Sequence, residues 1–299
     1  MNKFILSFIF MFLTMIANGA PLRIGVTLQP YYSYVANIVK DKAEVIPVIR
    51  ADLHDIHSYQ PTFDDIKKLS ECDAVVINGI GHDEFIFSMI KAVPDSSRLK
   101  VIYSNEGVSL MPVGGTRHSE KILNPHTFIS ITAVIQQVYN IAKELGKIDP
   151  ENKDFYMKNA KEYAKKLRKL KYERLEKIAE YSTGNIKAAT MHAGYDYLLS
   201  EFGIDVKAVV EPAHGIQPTA SDLKEVINTI KREKIDIIFA EKAYTSKYVE
   251  TIQKETGVEI GYLSHLTEGP YEADSFEKFI AADLDSVTDI LIKTAKKGK

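Results

Sequence analysis

The chain has 299 residues, 38 basic and 40 acidic side chains, one cysteine and no tryptophan. So even a charge balance offers no basic stripe for nucleic acid. The lone Cys72 excludes an intramolecular disulfide and a thiolate metal cluster. Lying between Leu69 and the run Ala74-Val75-Val76-Ile77, it reads as a buried core thiol.

Residues 1–20 read as a secretory signal peptide: Lys3, an apolar run from Phe4 to Ile16, then the small residues Ala17, Gly19 and Ala20. The run is short for a membrane span and no comparable stretch follows. No cysteine stands near the cleavage region to carry a thioether-linked lipid. The expectation is a mature chain of about 279 residues, free in a periplasm and monomeric, with 37 basic against 40 acidic residues.

Short apolar runs rich in β-branched residues, Arg23 to Leu28, Val45 to Ile49, Ala74 to Ile77 and Val101 to Tyr103, alternate with helical stretches, the βα pattern of a parallel sheet. The pattern is interrupted from Asp149 to Ser182. That segment begins Asp-Pro-Glu, an N-cap with a first-turn proline, and continues without another Pro or any Gly. Its apolar residues, among them Phe155, Ala160, Tyr163, Leu167 and Leu170, recur at threes and fours, predicting one helix of roughly 45 Å at 1.5 Å rise per residue. Strand patterns resume at Ile186 to Thr190, Ile235 to Ala240 and Glu259 to Leu263. The chain therefore reads as two α/β lobes with parallel-type sheets joined by one long helix: an N-terminal lobe over 21–148, the linking helix over 149–183 and a C-terminal lobe over 184–299.

His57, His126, His192 and His265 recur at separations of 69, 66 and 73 residues. Imidazoles gathered from separate segments suggest one metal site, and they suit zinc, copper, nickel or iron better than manganese or magnesium. Zinc is the first candidate. His57 lies in a loop ahead of a helix beginning near Thr62, and His126 follows Pro125, which fixes the local chain direction. His192 follows a strand and precedes a helix carrying Tyr195, Leu198, Leu199 and Phe202, at the strand end where open α/β sheets place ligands.

The segments Asp55-Ile56-His57-Ser58-Tyr59-Gln60-Pro61, Asn124-Pro125-His126-Thr127-Phe128, Met191-His192-Ala193-Gly194-Tyr195-Asp196-Tyr197 and Ile238-Phe239-Ala240-Glu241, in this order, resemble those of the zinc and manganese substrate-binding proteins of bacterial ABC importers. The resemblance implies a two-lobed fold, a rigid linking helix and a metal held in the cleft between the lobes for delivery to a membrane permease. It also implies that His57, His126 and His192 are ligands and that Glu241 lies near the site, where it would orient a ligating imidazole. The chain departs from the family at Leu263-Ser264-His265-Leu266, where relatives carry an Asp-Pro pair. Ser264 aligns with the ligating Asp, and adjacent residues of an extended segment face opposite ways, so His265 reaches the metal only if the chain turns after Leu263. Water or a nearby carboxylate is the alternative.

His54 and His214 read as surface-loop residues, and His118 sits in a short loop, Gly114 to Ser119, where zinc-specific relatives carry a long His-rich one. His82, after Gly79-Ile80-Gly81, reads as a structural histidine. Manganese stays open as the alternative cargo, although relatives that bind it tend to have a carboxylate where His192 stands. A zinc hydrolase or an iron-chelate binder fits less well: no H-E-x-x-H or G-x-S-x-G is present, and the chain lacks Trp and has few Arg for an organic ligand.

Overall fold

A computed structural model describes residues 20–51, 56, 59–114, 123–211, 218–242 and 247–297. The signal-peptide reading and His54, His57, His118 and His214 fall outside them. The first half runs β1 (Leu22–Val26), α1 (Gln29–Val39), β2 (Ala43–Pro47), α2 (Phe63–Ser70), β3 (Ala74–Ile77), α3 (Phe85–Ala92), β4 (Lys100–Tyr103) and α4 (Ile131–Ile148). After α5 (Lys153–Ile178) come β5 (Ala188–Thr190), α6 (Asp196–Ser200), β6 (Val206–Val209), α7 (Ala220–Glu233), β7 (Ile237–Glu241), α8 (Lys247–Thr256), β8 (Glu259–Leu263) and α9 (Ser275–Lys297).

Both sheets are four-stranded and parallel, with orders β2-β1-β3-β4 and β6-β5-β7-β8. The central strands β3 and β7 are buried on both faces, so Ala74 to Ile77 and Ile237 to Ala240 read as uninterrupted apolar segments. In each sheet the strand order reverses beside the first strand of the lobe, and the crevice outside the carboxyl ends of β1 and β3, or of β5 and β7, is where such sheets take ligands. Cys72 packs beneath β1, 3.2 Å from where a side chain on Gly25 would begin, and burial pushes its thiol up to about 12. It is a core residue, as its sequence neighbours predict.

The linking helix is shorter than its sequence pattern: Pro150–Asn152 form a 3-10 turn, and α5 proper spans 26 residues, about 39 Å at 1.5 Å rise. Pro150 lacks the N–H that would continue α4 into α5. Tyr156, Ala160, Tyr163, Ala164 and Leu167 are buried along one stripe, and the lysines lie on the solvated face. The C-terminal segment then crosses back over the first lobe. Ser33 donates to the Glu272 carbonyl at 2.7 Å, Tyr163 to Glu277 at 2.8 Å, and Arg174 makes a two-pronged pair with Asp285 at 2.8 and 3.0 Å. These ties add to the link that the long helix makes between the lobes.

Candidate metal centre

His82, His126, His192 and His265 meet between the lobes; they are every histidine among the described residues. Each is at most 6% exposed. Ring centroids lie 4.9 Å apart for His126 and His192, 4.9 Å for His126 and His265, 5.0 Å for His82 and His126, and 5.2 Å for His192 and His265. The nitrogens of His82, His126 and His265 lie within 4.8 Å of one another, and Nε2 of His192 is 3.2 Å from Nε2 of His126.

His82 is delivered by the loop after β3. Gly79 and Gly81 adopt positive φ, 72° and 115°, which bends the chain tightly enough to turn His82 into the crevice. The buried Asp83 carboxylate fixes that bend, accepting from Asn78 N at 2.7 Å, Gly79 N at 3.0 Å and Thr27 Oγ1 at 2.5 Å. Burial raises the Asp83 carboxyl above the usual range, against the lowering effect of these donors. The structure thus departs from the sequence reading of His82 as a structural residue outside the site. The signal was its place after a buried strand at the point where sheet order reverses.

His126 caps the 3-10 turn Thr127–Ile129. Its Nδ1 lies 2.7 Å from Oδ1 of Asn124, the same oxygen that accepts from the His126 backbone N–H at 3.0 Å. An oxygen facing a backbone N–H is an acceptor, so Nδ1 carries the proton and Nε2 presents a lone pair to the cluster. His192 follows β5 by two residues, and a close approach governs the turn after it: a side chain on Gly194 would begin 2.8 Å from Cδ2 and 3.1 Å from Nε2 of His192. Only glycine leaves that imidazole in place.

The turn after β8 brings His265 inward. Ser264 N donates to Asp283 at 2.9 Å, Leu266 N donates to Ser264 Oγ at 3.1 Å, and Leu266 adopts φ 62°. Ser264 therefore spends its hydroxyl on the turn. His265 Nδ1 lies 3.2 Å from Thr267 Oγ1. Glu241 ends β7 and lines, with Ser264, His265 and Glu268, a cavity of about 570 Å³ beside the cluster. After burial, its charge is the largest influence that pushes the buried Tyr195 phenol well above its ordinary range, with Asp283, Glu211 and Glu268 adding to it.

Asp283, fully buried beneath the Ser264 turn, is raised from 3.8 to about 7 by desolvation, with Ser264 N and Lys242 opposing. Its folded value lies above its unfolded one, so at pH below 3.8 it carries no penalty; stability falls as pH rises toward 7, and the full penalty persists above. The gap corresponds to roughly 4 kcal/mol at about 1.4 kcal/mol per pH decade. Asp283→Asn, which keeps the acceptor for Ser264, is expected to stabilise the protein by a few kcal/mol at pH 8 and by little at pH 4. Chemical denaturation at both pH values checks this, and equal effects at the two would contradict the assignment.

Residues 24–290 match the family model described as zinc-uptake complex component A, periplasmic. The chain belongs to this family. The substrate-binding protein FpvC of Pseudomonas aeruginosa, solved in complex with Ni2+, is 46% identical, with 93% of this chain and 98% of that one covered and a TM-score of 0.84; the same protein with Mn2+ superposes at 0.85. The manganese ABC transporter substrate-binding lipoprotein PsaA of Streptococcus mitis is 25% identical, with 93% of this chain and 91% of that protein covered. The high-affinity zinc uptake system protein ZnuA of Bacillus subtilis is 26% identical, with coverages of 84% and 80%. Family members are metal-binding substrate-binding proteins of ABC transporters, with both zinc and manganese represented. Among the described residues no helix is long and apolar enough to cross a membrane.

Proposed function

We propose that this protein captures one divalent transition-metal ion between its lobes in the periplasm and hands it, as a monomer and without catalysing a reaction, to an ABC permease. Zinc is the first cargo candidate. The observation that carries this reading is the convergence of four buried imidazoles from four separate loops, two at each sheet's carboxyl edge. His126, His192 and His265 act as ligands together with His82, which the sequence reading left out, and His57 completes the proposed set from outside the described residues. Glu241 and Glu268 supply negative charge beside a neutral ligand set.

Neutral nitrogen donors favour ions late in the Irving–Williams order, nickel, copper and zinc, over manganese, which prefers carboxylate and water oxygens. The Ni2+ complex of FpvC makes nickel the second candidate. Asn124 and Thr267, which hydrogen-bond two of the imidazoles, are an amide and a hydroxyl and not general bases, in keeping with a carrier instead of a hydrolase.

The pH profile of metal binding tests the ligand type. Imidazoles ligate only when neutral, and in general they titrate near pH 6.5, so protons compete with the ion below that value. Zinc affinity is expected to fall steeply as pH drops through about 6. An affinity flat from pH 7.5 to 5 would contradict a histidine-built site.

A further inference from the structure

Asn124 joins the two halves of the candidate centre through one side chain. It is fully buried, and its amide has only one consistent orientation: Oδ1 faces the backbone N–H and Nδ1 of His126, and Nδ2 donates to Asp196 Oδ2 at 2.7 Å and to the Ala193 carbonyl at 3.2 Å. The acceptors belong to the second lobe. Ala193 is next to His192, and Asp196 opens α6 four residues on. The seam around this contact is close: Asp196 Oδ1 accepts from Gly114 N at 3.0 Å, and a side chain on Gly114 would begin 2.3 Å from that oxygen. Tyr197 adds a second tie, donating to the Asn124 carbonyl at 2.9 Å.

We infer that Asn124 is a positioning residue that couples docking of the second lobe, read through Asp196, to the orientation and proton placement of the His126 ring. This deepens the metal reading above and rests on it. With the lobes together, both ends of the amide are satisfied and His126 is held with its Nε2 lone pair toward the centre. When the second lobe withdraws, the Asn124 NH2 group loses both acceptors. The amide is then held at Oδ1 alone, by the His126 backbone N–H and Nδ1–H, so its grip on the orientation and tautomer of the ring loosens. Opening the cleft thereby weakens a ligand directly, and a permease that parts the lobes would lower metal affinity without a proton being supplied.

The test reverses the polarity of the bond. Asp196→Asn sets an amide NH2 against an amide NH2 or an unpaired Gly114 N–H, and Asn124→Asp sets two carboxylates together. The double variant Asn124→Asp/Asp196→Asn restores one acceptor and one donor at the same net charge. Zinc affinity is measured by competition titration, and the His126 tautomer by ring 15N NMR on the metal-free protein. Each single variant is expected to lose about tenfold or more in affinity, the range for partners that orient a ligand; Asp196→Asn is expected to lose the Nδ1–H tautomer signature as well, whereas a carboxylate at position 124 still accepts from Nδ1–H. The double is expected to return to within about threefold of the parent, as a coupled pair should. Asp196→Asn with unchanged affinity and unchanged tautomer would overturn the inference. If the singles fail to fold, a folded double variant that binds near the parent value supports it, and one that binds tenfold worse overturns it. Failure of the metal reading itself is distinguishable: the parent protein would take up neither zinc nor nickel, and the His126 tautomer in Asp196→Asn would still decide the relay, a change supporting it and constancy overturning it.

Discussion

His265→Ala is expected to lower zinc affinity by at least tenfold, no less than loss of an orienting partner costs, with the fold retained. A leucine at φ 62° is unfavourable by roughly 1 kcal/mol or more, and such outliers persist only where the surroundings over-determine them. Here they do so: Leu266 is 1% exposed, its N–H bonds to Ser264 Oγ, and Ser264 N is held by the buried Asp283. The strained turn resolves the problem of alternation after β8, because it swings His265, one place beyond the family's carboxylate position, into the cluster. Ser264 faces its own turn, so Ser264→Asp is expected to leave zinc affinity within a few-fold and not to admit manganese. Calorimetric titration of both variants checks the pair. A neutral His265→Ala with a tightened Ser264→Asp would show that the serine position keeps the family's inward direction.

The second large effect is expected at His82. His82→Ala should cost at least tenfold in zinc affinity, on the same scale as the other imidazoles, while barely changing the melting temperature of the metal-free protein. A histidine retained only for packing would do the reverse. It packs edge-on to Phe128, with ring centroids 4.7 Å apart, so its removal leaves some space against an aromatic wall. The loop that carries it, however, is fixed by Asp83 and the two positive-φ glycines and not by the imidazole. Affinity and metal-free thermal stability measured on one preparation separate the two roles. Unchanged affinity with a lowered melting temperature would return His82 to a structural part.

Much of the fold was legible because it depends on local pattern. β3, β4, β7 and β8 stand out as short β-branched runs, and α5 as a long segment of threes and fours. Less was legible where a partner decides. β2 is shifted two residues toward the N-terminus because its pairing with β1 aligns Leu22 with Ala43 and Val26 with Pro47. β6, Val206–Val209, has a lysine in a four-residue strand, which leaves only the short run Ala208-Val209-Val210 to announce it. The return of α9 across the first lobe is a tertiary fact carried by Tyr163, Arg174, Glu277 and Asp285, which no periodicity links.

The candidate centre divides the same way. His126 and His192 were readable from their motifs, and His265 only up to the direction of a turn that depends on Asp283, a residue nineteen positions away. His82 was read as structural because its place after a buried strand was its only signal, and the structure brings it beside His126 and His265. Its direction is set by glycine φ values and by a buried carboxylate. Asn124 was visible as part of a motif, but its role as the partner of His126 needed Asp196, which only the closed fold brings within 2.7 Å.

One divalent ion held by imidazoles between the lobes should show a definite stoichiometry and metal preference. Calorimetric titration of the chelator-stripped protein at pH 7.5, first with zinc and then by competition with manganese at equal free concentration, tests it most directly. One zinc ion per chain and a clear preference for zinc over manganese are expected. No saturable zinc binding, or manganese displacing zinc at equal free concentration, would contradict it.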